Sequence, residues 1–269
     1  MPAAVSRSAS ADSLPVLWIA LPAALGALLA MGVMLSGLNE PWFLHWNHAA
    51  ATLLPPFLWA GITNLGSTLG AFALITPALA WRPRWVAAAL LAAPAATLLT
   101  HALKALFAEP RPPAVLPLDQ FNVIGLALRT DSFPSGHTIT AFVLAGVVAF
   151  CASRSERPWL GGAVLAAAAL VAFSRIAVGA HWPVDIFAGA AGGWLSAAIG
   201  VRWSSSWRFW ERRCGVQVMA VLMLIFPVLF AFEDLGYPEG LWMQYLLVAW
   251  GMAGAAHALL RQPGGQVPA

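Results

Sequence analysis

The chain has 269 residues, 60% hydrophobic and only 9% charged, with a mean hydropathy of +0.76. A soluble domain carries about 25% charged residues, so composition excludes a water-soluble globular fold and indicates an integral membrane protein. The net charge of +3 follows from membrane topology, as shown below, and no nucleic-acid partner is expected.

Eight apolar stretches follow in chain order: 14–35, 57–81, 85–107, 137–153, 159–178, 183–201, 214–232 and 241–260. A crossing helix needs about 20 mostly apolar residues, so the shorter stretches are marginal. In lipid the backbone must satisfy its own hydrogen bonds, so the spans are read as helices. The alternating pattern of membrane strands is absent. The fold class is therefore all-α, a polytopic transmembrane helix bundle. A six-helix core occupies 14–201, a basic cytoplasmic loop 202–213, and two additional helices 214–260. Residues 1–13 read as a cytoplasmic leader and 261–269 as a cytoplasmic tail. Stretch 14–35 is followed by no small-residue cleavage site and reads as a retained signal anchor.

Residues 41–58 bunch Trp42, Phe43 and Trp46 and read as an interfacial segment, because aromatic rings favour the headgroup level. His45 and His48 there lack acidic or cysteine partners, and no metal site is expected. Stretch 57–81 is expected to run as one helix into Arg82-Pro83-Arg84. The next carries His101 and Lys104 in its last turns and is stopped by Pro110. Residues 108–134 form the longest loop, and a loop of that length is usually functional. Stretch 137–153 starts at Pro134-Ser135-Gly136-His137. Stretch 159–178 ends near Arg175, and a short turn leads to His181 and to a helix beginning at Pro183. That helix holds Gly189, Gly192 and Gly193, which permit close packing.

Arg82, Arg84, Arg154, Arg157, Arg202, Arg208, Arg212, Arg213 and Arg261 fall in alternate loops or the tail. With Arg7 they mark the cytoplasmic side by the positive-inside rule. The other side carries eight acidic residues and four basic ones, Lys104, Arg111, Arg129 and Arg175. Three of those four belong to the chemical segments described next. Both cysteines, Cys151 and Cys214, lie near cytoplasmic helix ends, so no disulfide is expected.

Lys104 and Arg111 can grip a phosphate, arginine by two parallel bonds and lysine as a point charge. The alternative is membrane anchoring by snorkelling. In Pro134-Ser135-Gly136-His137, serine suits a helix N-cap and glycine admits a ligand. The free N–H groups of that helix end favour an anion. Taken alone this is also an ordinary helix start. His181 and Asp185 are four apart and share a helix face. A carboxylate on one ring nitrogen fixes the tautomer and frees the other nitrogen to attack. Arg175 returns to the same point across the turn. Three cations around two histidines and one aspartate disfavour a metal and favour an anion. Arg129 and Asp131 are expected to form a loop ion pair, and His101 to be a hydrogen-bonded buried histidine.

The segments read KALFAEPRP, PSGH and SRIAVGAHWPVD. Together they resemble the three-part signature of the type 2 phosphatidic acid phosphatase family at every position, over roughly residues 55–201. The resemblance implies a membrane phosphatase core. It implies His181 as the nucleophile forming a phosphohistidine, Asp185 as its orienting group and His137 as general acid. Lys104, Arg111, Ser135, Gly136 and Arg175 are implied as the phosphate cradle, with no metal and no cofactor. The implied partners are the bilayer and a membrane lipid phosphate: undecaprenyl diphosphate, phosphatidylglycerol phosphate, phosphatidic acid or a lipid A phosphate. The implied location is the plasma membrane (the inner membrane of a bacterium), with the site on the outer face and both termini cytoplasmic. A phosphotransferase using the same intermediate, and a non-catalytic lipid carrier, remain alternatives at this point.

Overall fold

The computed structural model describes residues 16–261, and the leader and most of the tail assigned above lie outside the described residues. Helix α1 (Val16–Ser36) is followed by α2 (Asn39–Leu53), α3 (Pro56–Asn64) and α4 (Thr68–Ile75). A 3-10 turn extends α4 to Ala80. Then come α5 (Pro83–Phe107), the single turn α6 (Pro112–Val115), α7 (Gly136–Cys151) and α8 (Arg157–Ala177). Helices α9 (Pro183–Trp207), α10 (Arg213–Phe232) and α11 (Leu241–Leu260) complete the bundle. Six of the described helices are long and apolar enough to cross a membrane, and α3 with α4 is apolar enough only as a pair bent at a break. The protein is a multi-pass, all-α membrane bundle.

Two sequence expectations need correction. The stretch 57–81 is not one helix, because α3 and α4 meet at a 75° bend. Ser67 caps α4 by accepting the Gly70 N–H at 3.1 Å. Gly66 then lies so close to α7 that a side chain there would overlap His137 and Val171. The break therefore brings backbone to the start of α7, where an unbroken helix would pass it by. The segment 41–58 is also not merely interfacial. Helix α2 buries Phe43, Asn47 and Ala50. The Asn47 amide donates to the Asn122 and Ile176 carbonyls, both at 2.9 Å, and its oxygen accepts the Asn122 N–H at 2.7 Å. One buried amide thus ties the long loop to the end of α8.

Helix α9 is the axis of the core and packs on α1, α5 and α7. Lipid tails are as apolar as the side chains, so close van der Waals packing rather than water exclusion holds such helices together. Gly193 allows it: a Cβ there would sit 2.3 Å from the Ile139 carbonyl oxygen on α7. The two C-terminal helices form a hairpin against α4. At the arginine-rich end, Arg82 pairs with Glu156 at 2.8 Å and Arg84 donates to Ser205 at 2.8 Å. The three chemical segments occupy the other end.

Helix α7 has only 16 residues, about 24 Å at 1.5 Å per residue, less than the roughly 30 Å hydrocarbon core. The long loop packs on this end of the bundle, burying Phe121 and Ile124. Its two arms are zipped by Arg111 N–H to Arg129 carbonyl at 3.0 Å and Ser132 N–H to Glu109 carbonyl at 2.9 Å.

Candidate active site

His181 stands in the turn between α8 and α9. Gly179 makes that turn, with φ +77° and the Asn122 carbonyl where a side chain would go. The N–H groups of Ala180 and His181 both bond the Arg175 carbonyl, at 3.0 and 3.2 Å. Arg175 and His181 are thus held on one side of a single tight turn. Asp185 lies in the first turn of α9, and its Oδ2 is 3.1 Å from His181 Nδ1. The same oxygen accepts the Trp182 N–H at 2.9 Å and the Ser132 hydroxyl at 2.5 Å. Both His181 and Asp185 are almost wholly buried, 2% and 1% exposed.

The other ring nitrogen decides the tautomer. Arg111 Nη1 lies 3.1 Å from His181 Nε2. A guanidinium can only donate, so Nε2 is the acceptor and carries a lone pair. Nδ1 then holds the proton and donates it to Asp185. Burial, followed by the charges of Arg111, Arg175 and Lys104 and then His137, pushes the His181 imidazole well below the ordinary histidine pKa. The ring is therefore neutral with a free electron pair on the nitrogen that faces the cations.

Arg111 is fixed by donating from Nε to the Thr130 carbonyl at 2.6 Å and from Nη1 to the Ala180 carbonyl at 3.1 Å. Lys104 Nζ donates to the Asp131 carbonyl at 2.7 Å, which Arg111 Nη2 also reaches at 3.2 Å. Asp131 can present its carbonyl this way because it adopts φ +57°, a left-handed conformation that aspartate tolerates better than most residues. Arg175, 1% exposed, donates to Thr63 Oγ1 at 2.5 Å and lies over the Tyr237 ring at 5.4 Å. Its Nε has no hydrogen-bond partner among the described residues.

Ser135 is the N-cap of α7: its hydroxyl accepts from the Thr138 N–H and Thr138 hydroxyl. Its own N–H donates to the Asp185 carbonyl at 3.2 Å, which joins the start of α7 to the start of α9. His137 Nε2 is buried without a hydrogen-bond partner among the described residues. His137 and Gly136 line a cavity of about 230 Å³ that extends between α4, α5 and α7.

The Lys104, Arg111, His181 and Asp185 side chains, the Ser135 backbone and the Asp131 carbonyl form one connected network. Arg175 joins it through its backbone, while His137 approaches from the cavity side. Two minor expectations fail. Arg129 donates to the Pro113 carbonyl at 2.7 Å and makes no ion pair with Asp131 among the described residues. Its geometry suits a loop brace, and the Asp131 carbonyl is engaged instead of its carboxylate. His101 is exposed on the protein surface rather than buried, at the rim of the His137 cavity. The sequence reading missed Ser132, Thr63 and Tyr237. Each is a polar side chain buried in an apolar setting, the one signal that marks them.

Residues 83–210 match the PAP2 superfamily. The crystal structure of Aquifex aeolicus LpxE aligns with 32% sequence identity and a TM-score of 0.53, covering 61% of this chain and 95% of that one. The chain belongs to the PAP2 superfamily. A second solved structure, the first transmembrane PAP2 type phosphatidylglycerolphosphate phosphatase from Bacillus subtilis, shares the fold. There the TM-score is 0.52 with 20% identity, covering 71% of this chain and 98% of that one. An undecaprenyl-diphosphatase of Sulfolobus acidocaldarius is 39% identical over 66 residues, 24% of this chain and 30% of that protein. The chain spans less than half the length of the curated relatives it matches.

Proposed function

We propose that this PAP2 protein is a phosphatase of membrane lipid phosphates that works through a phosphohistidine on His181. The observation that carries the reading is the pair of contacts on one imidazole. Asp185 accepts a hydrogen bond from Nδ1–H and an arginine N–H rests on the Nε2 lone pair. A phosphoryl group arriving here takes the Arg111 N–H onto its own oxygen and leaves Nε2 free to attack phosphorus. The bond from phosphorus to the leaving oxygen breaks, and that oxygen takes a proton from His137 in its imidazolium form. Water then attacks phosphorus, the bond to Nε2 breaks with its electron pair returning to His181, His137 accepts the water's proton, and inorganic phosphate leaves. Lys104, Arg111 and Arg175 meet the charge on the equatorial oxygens, with the Ser135 hydroxyl and Gly136 N–H at the same helix end. Fixed charges aimed at developing charge usually supply the largest catalytic effect. No step requires a metal, because the cations already present fill that electrostatic role.

The named relatives act on different lipids, and the substrate here is drawn from undecaprenyl diphosphate, phosphatidylglycerol phosphate, phosphatidic acid or a lipid A phosphate. The catalytic end is assigned to the outer face of the plasma membrane, because nine arginines of the described residues lie at the opposite end. The reading is tested by phosphate release from these four lipids in detergent, with no acceptor lipid present. Wild type releases phosphate, and His181→Ala and Asp185→Ala lose at least a thousandfold. Full release by His181→Ala overturns the proposal, and turnover only with an added acceptor lipid makes the protein a phosphotransferase.

A further inference from the structure

The helical hairpin of α10 and α11 lies beyond the family match, which ends at residue 210, yet it reaches the cavity that holds His137. Along α5 this cavity runs from His101 to Ala89, about 18 Å of helix. Its deep part is apolar, lined by Ala89, Phe72 and Leu144. Its polar lining includes His137, Thr97, Thr140 and Glu233. An acyl or prenyl chain suits the first part, and a polar leaving group suits the second.

Glu233 is the unusual member. It is the residue that ends α10, and its Oε2 is buried with no hydrogen-bond partner among the described residues. Burial raises its pKa. A buried carboxyl oxygen without a donor is costly, and a ligand that brings a hydrogen-bond donor relieves that cost. The loop carrying Glu233 is held in place: the Leu126 N–H donates to the Gly236 carbonyl at 2.8 Å, and Asn64 donates to the Gly240 carbonyl at 2.9 Å. The carboxyl is therefore on a fixed support.

We propose that Glu233 makes the C-terminal hairpin part of the substrate site, accepting hydrogen bonds from free hydroxyl groups on the lipid's leaving group. This rests on the phosphatase reading above and narrows it. Two lipid classes offer such hydroxyls beside the scissile bond, a glycerol headgroup as in phosphatidylglycerol phosphate and a sugar as in a glucosamine-based lipid phosphate. Phosphatidic acid and polyprenyl diphosphates offer none.

The experiment measures kcat/KM on these four lipids in mixed micelles for wild type, Glu233→Gln and Glu233→Ala. Wild type favours at least one hydroxyl-bearing lipid by tenfold or more over both hydroxyl-free ones, and which arm wins separates glycerol from sugar. In Glu233→Ala, kcat/KM for that lipid falls at least tenfold further than for the hydroxyl-free pair, chiefly through KM. Glu233→Gln, which keeps an acceptor oxygen, retains part of the preference. An equal loss on all four lipids, or a wild-type preference for a hydroxyl-free lipid, overturns the inference while leaving the phosphatase reading intact. Absence of release from every lipid, or full release by His181→Ala, overturns the phosphatase reading itself.

Discussion

Ser132→Ala removes one hydroxyl and leaves the backbone bond from Ser132 to Glu109 in place. That hydroxyl is one of three donors on Asp185 Oδ2, at 2.5 Å, while Oδ1 of the same buried carboxylate has no partner among the described residues. A hydrogen bond to a charged group contributes about 1.5–3 kcal/mol. At about 1.4 kcal/mol per factor of ten, full expression in the transition state lowers kcat by about 10- to 150-fold. Among the described residues Ser132 hydrogen-bonds none of the cations proposed to hold phosphate, so KM changes little. Its contribution runs through the carboxylate that orients the His181 ring, so the loss belongs in the chemical step. The assay is phosphate release at saturating and limiting lipid, beside a thermal melt in detergent to establish that the variant is folded. A folded Ser132→Ala protein with kcat within twofold of wild type refutes the argument that this hydroxyl holds Asp185 in place.

Arg111→Lys keeps the charge but loses the fork that reaches Thr130, Ala180, Asp131 and His181 together. A drop in kcat/KM of about a hundredfold or more is expected, and near-normal turnover contradicts the assigned geometry. Gly193→Ala places a methyl against the Ile139 carbonyl, and overpacking of that kind destabilises by about 1–3 kcal/mol, which a lowered melting temperature detects. The His181 pKa is depressed in the folded protein, so the unfolded chain binds more protons as pH falls below about 6.5. Stability is therefore level with respect to this group above that pH and declines below it. The His181→Asn variant should show a shallower decline, by up to one proton or about 1.4 kcal/mol per pH unit, in melts between pH 7.5 and 5; an unchanged slope counts against a neutral buried His181. Vanadate, which adopts the five-coordinate geometry of the transition state, should compete with substrate, and EDTA should leave the rate unchanged.

Hydropathy made most of the helices readable. The apolar stretches from 85 onward start and stop near α5 and α7–α11, because Pro83, Ser135, Pro183 and the arginine runs punctuate them. Averaged hydropathy hid the break between α3 and α4. The local signal was present in Asn64-Leu65-Gly66-Ser67, where a serine cap follows a glycine, but apolar residues on both sides masked it. Residues that carry charge beside the site were legible from type and spacing, because a charge in an apolar chain demands a reason. Asp131 shows the limit: its type drew attention to the carboxylate, whereas its φ angle puts the carbonyl to use. The partners of Ser132 and Thr63 were not legible. A hydroxyl reads the same in sequence whether it bonds its own segment or reaches across the bundle. The contacts from Ser132 to Asp185 and from Thr63 to Arg175 span 53 and 112 residues, so only the packed fold reveals them.

The central claim is that phosphorus bonds to His181 during turnover. Rapid quenching under alkaline conditions, followed by peptide mass spectrometry, reads it directly. A phosphorylated His181 should appear within the first turnover of the wild-type protein and be absent from a His181→Asn variant. Robust phosphate release with no label on His181, or with label on another residue, would contradict the account.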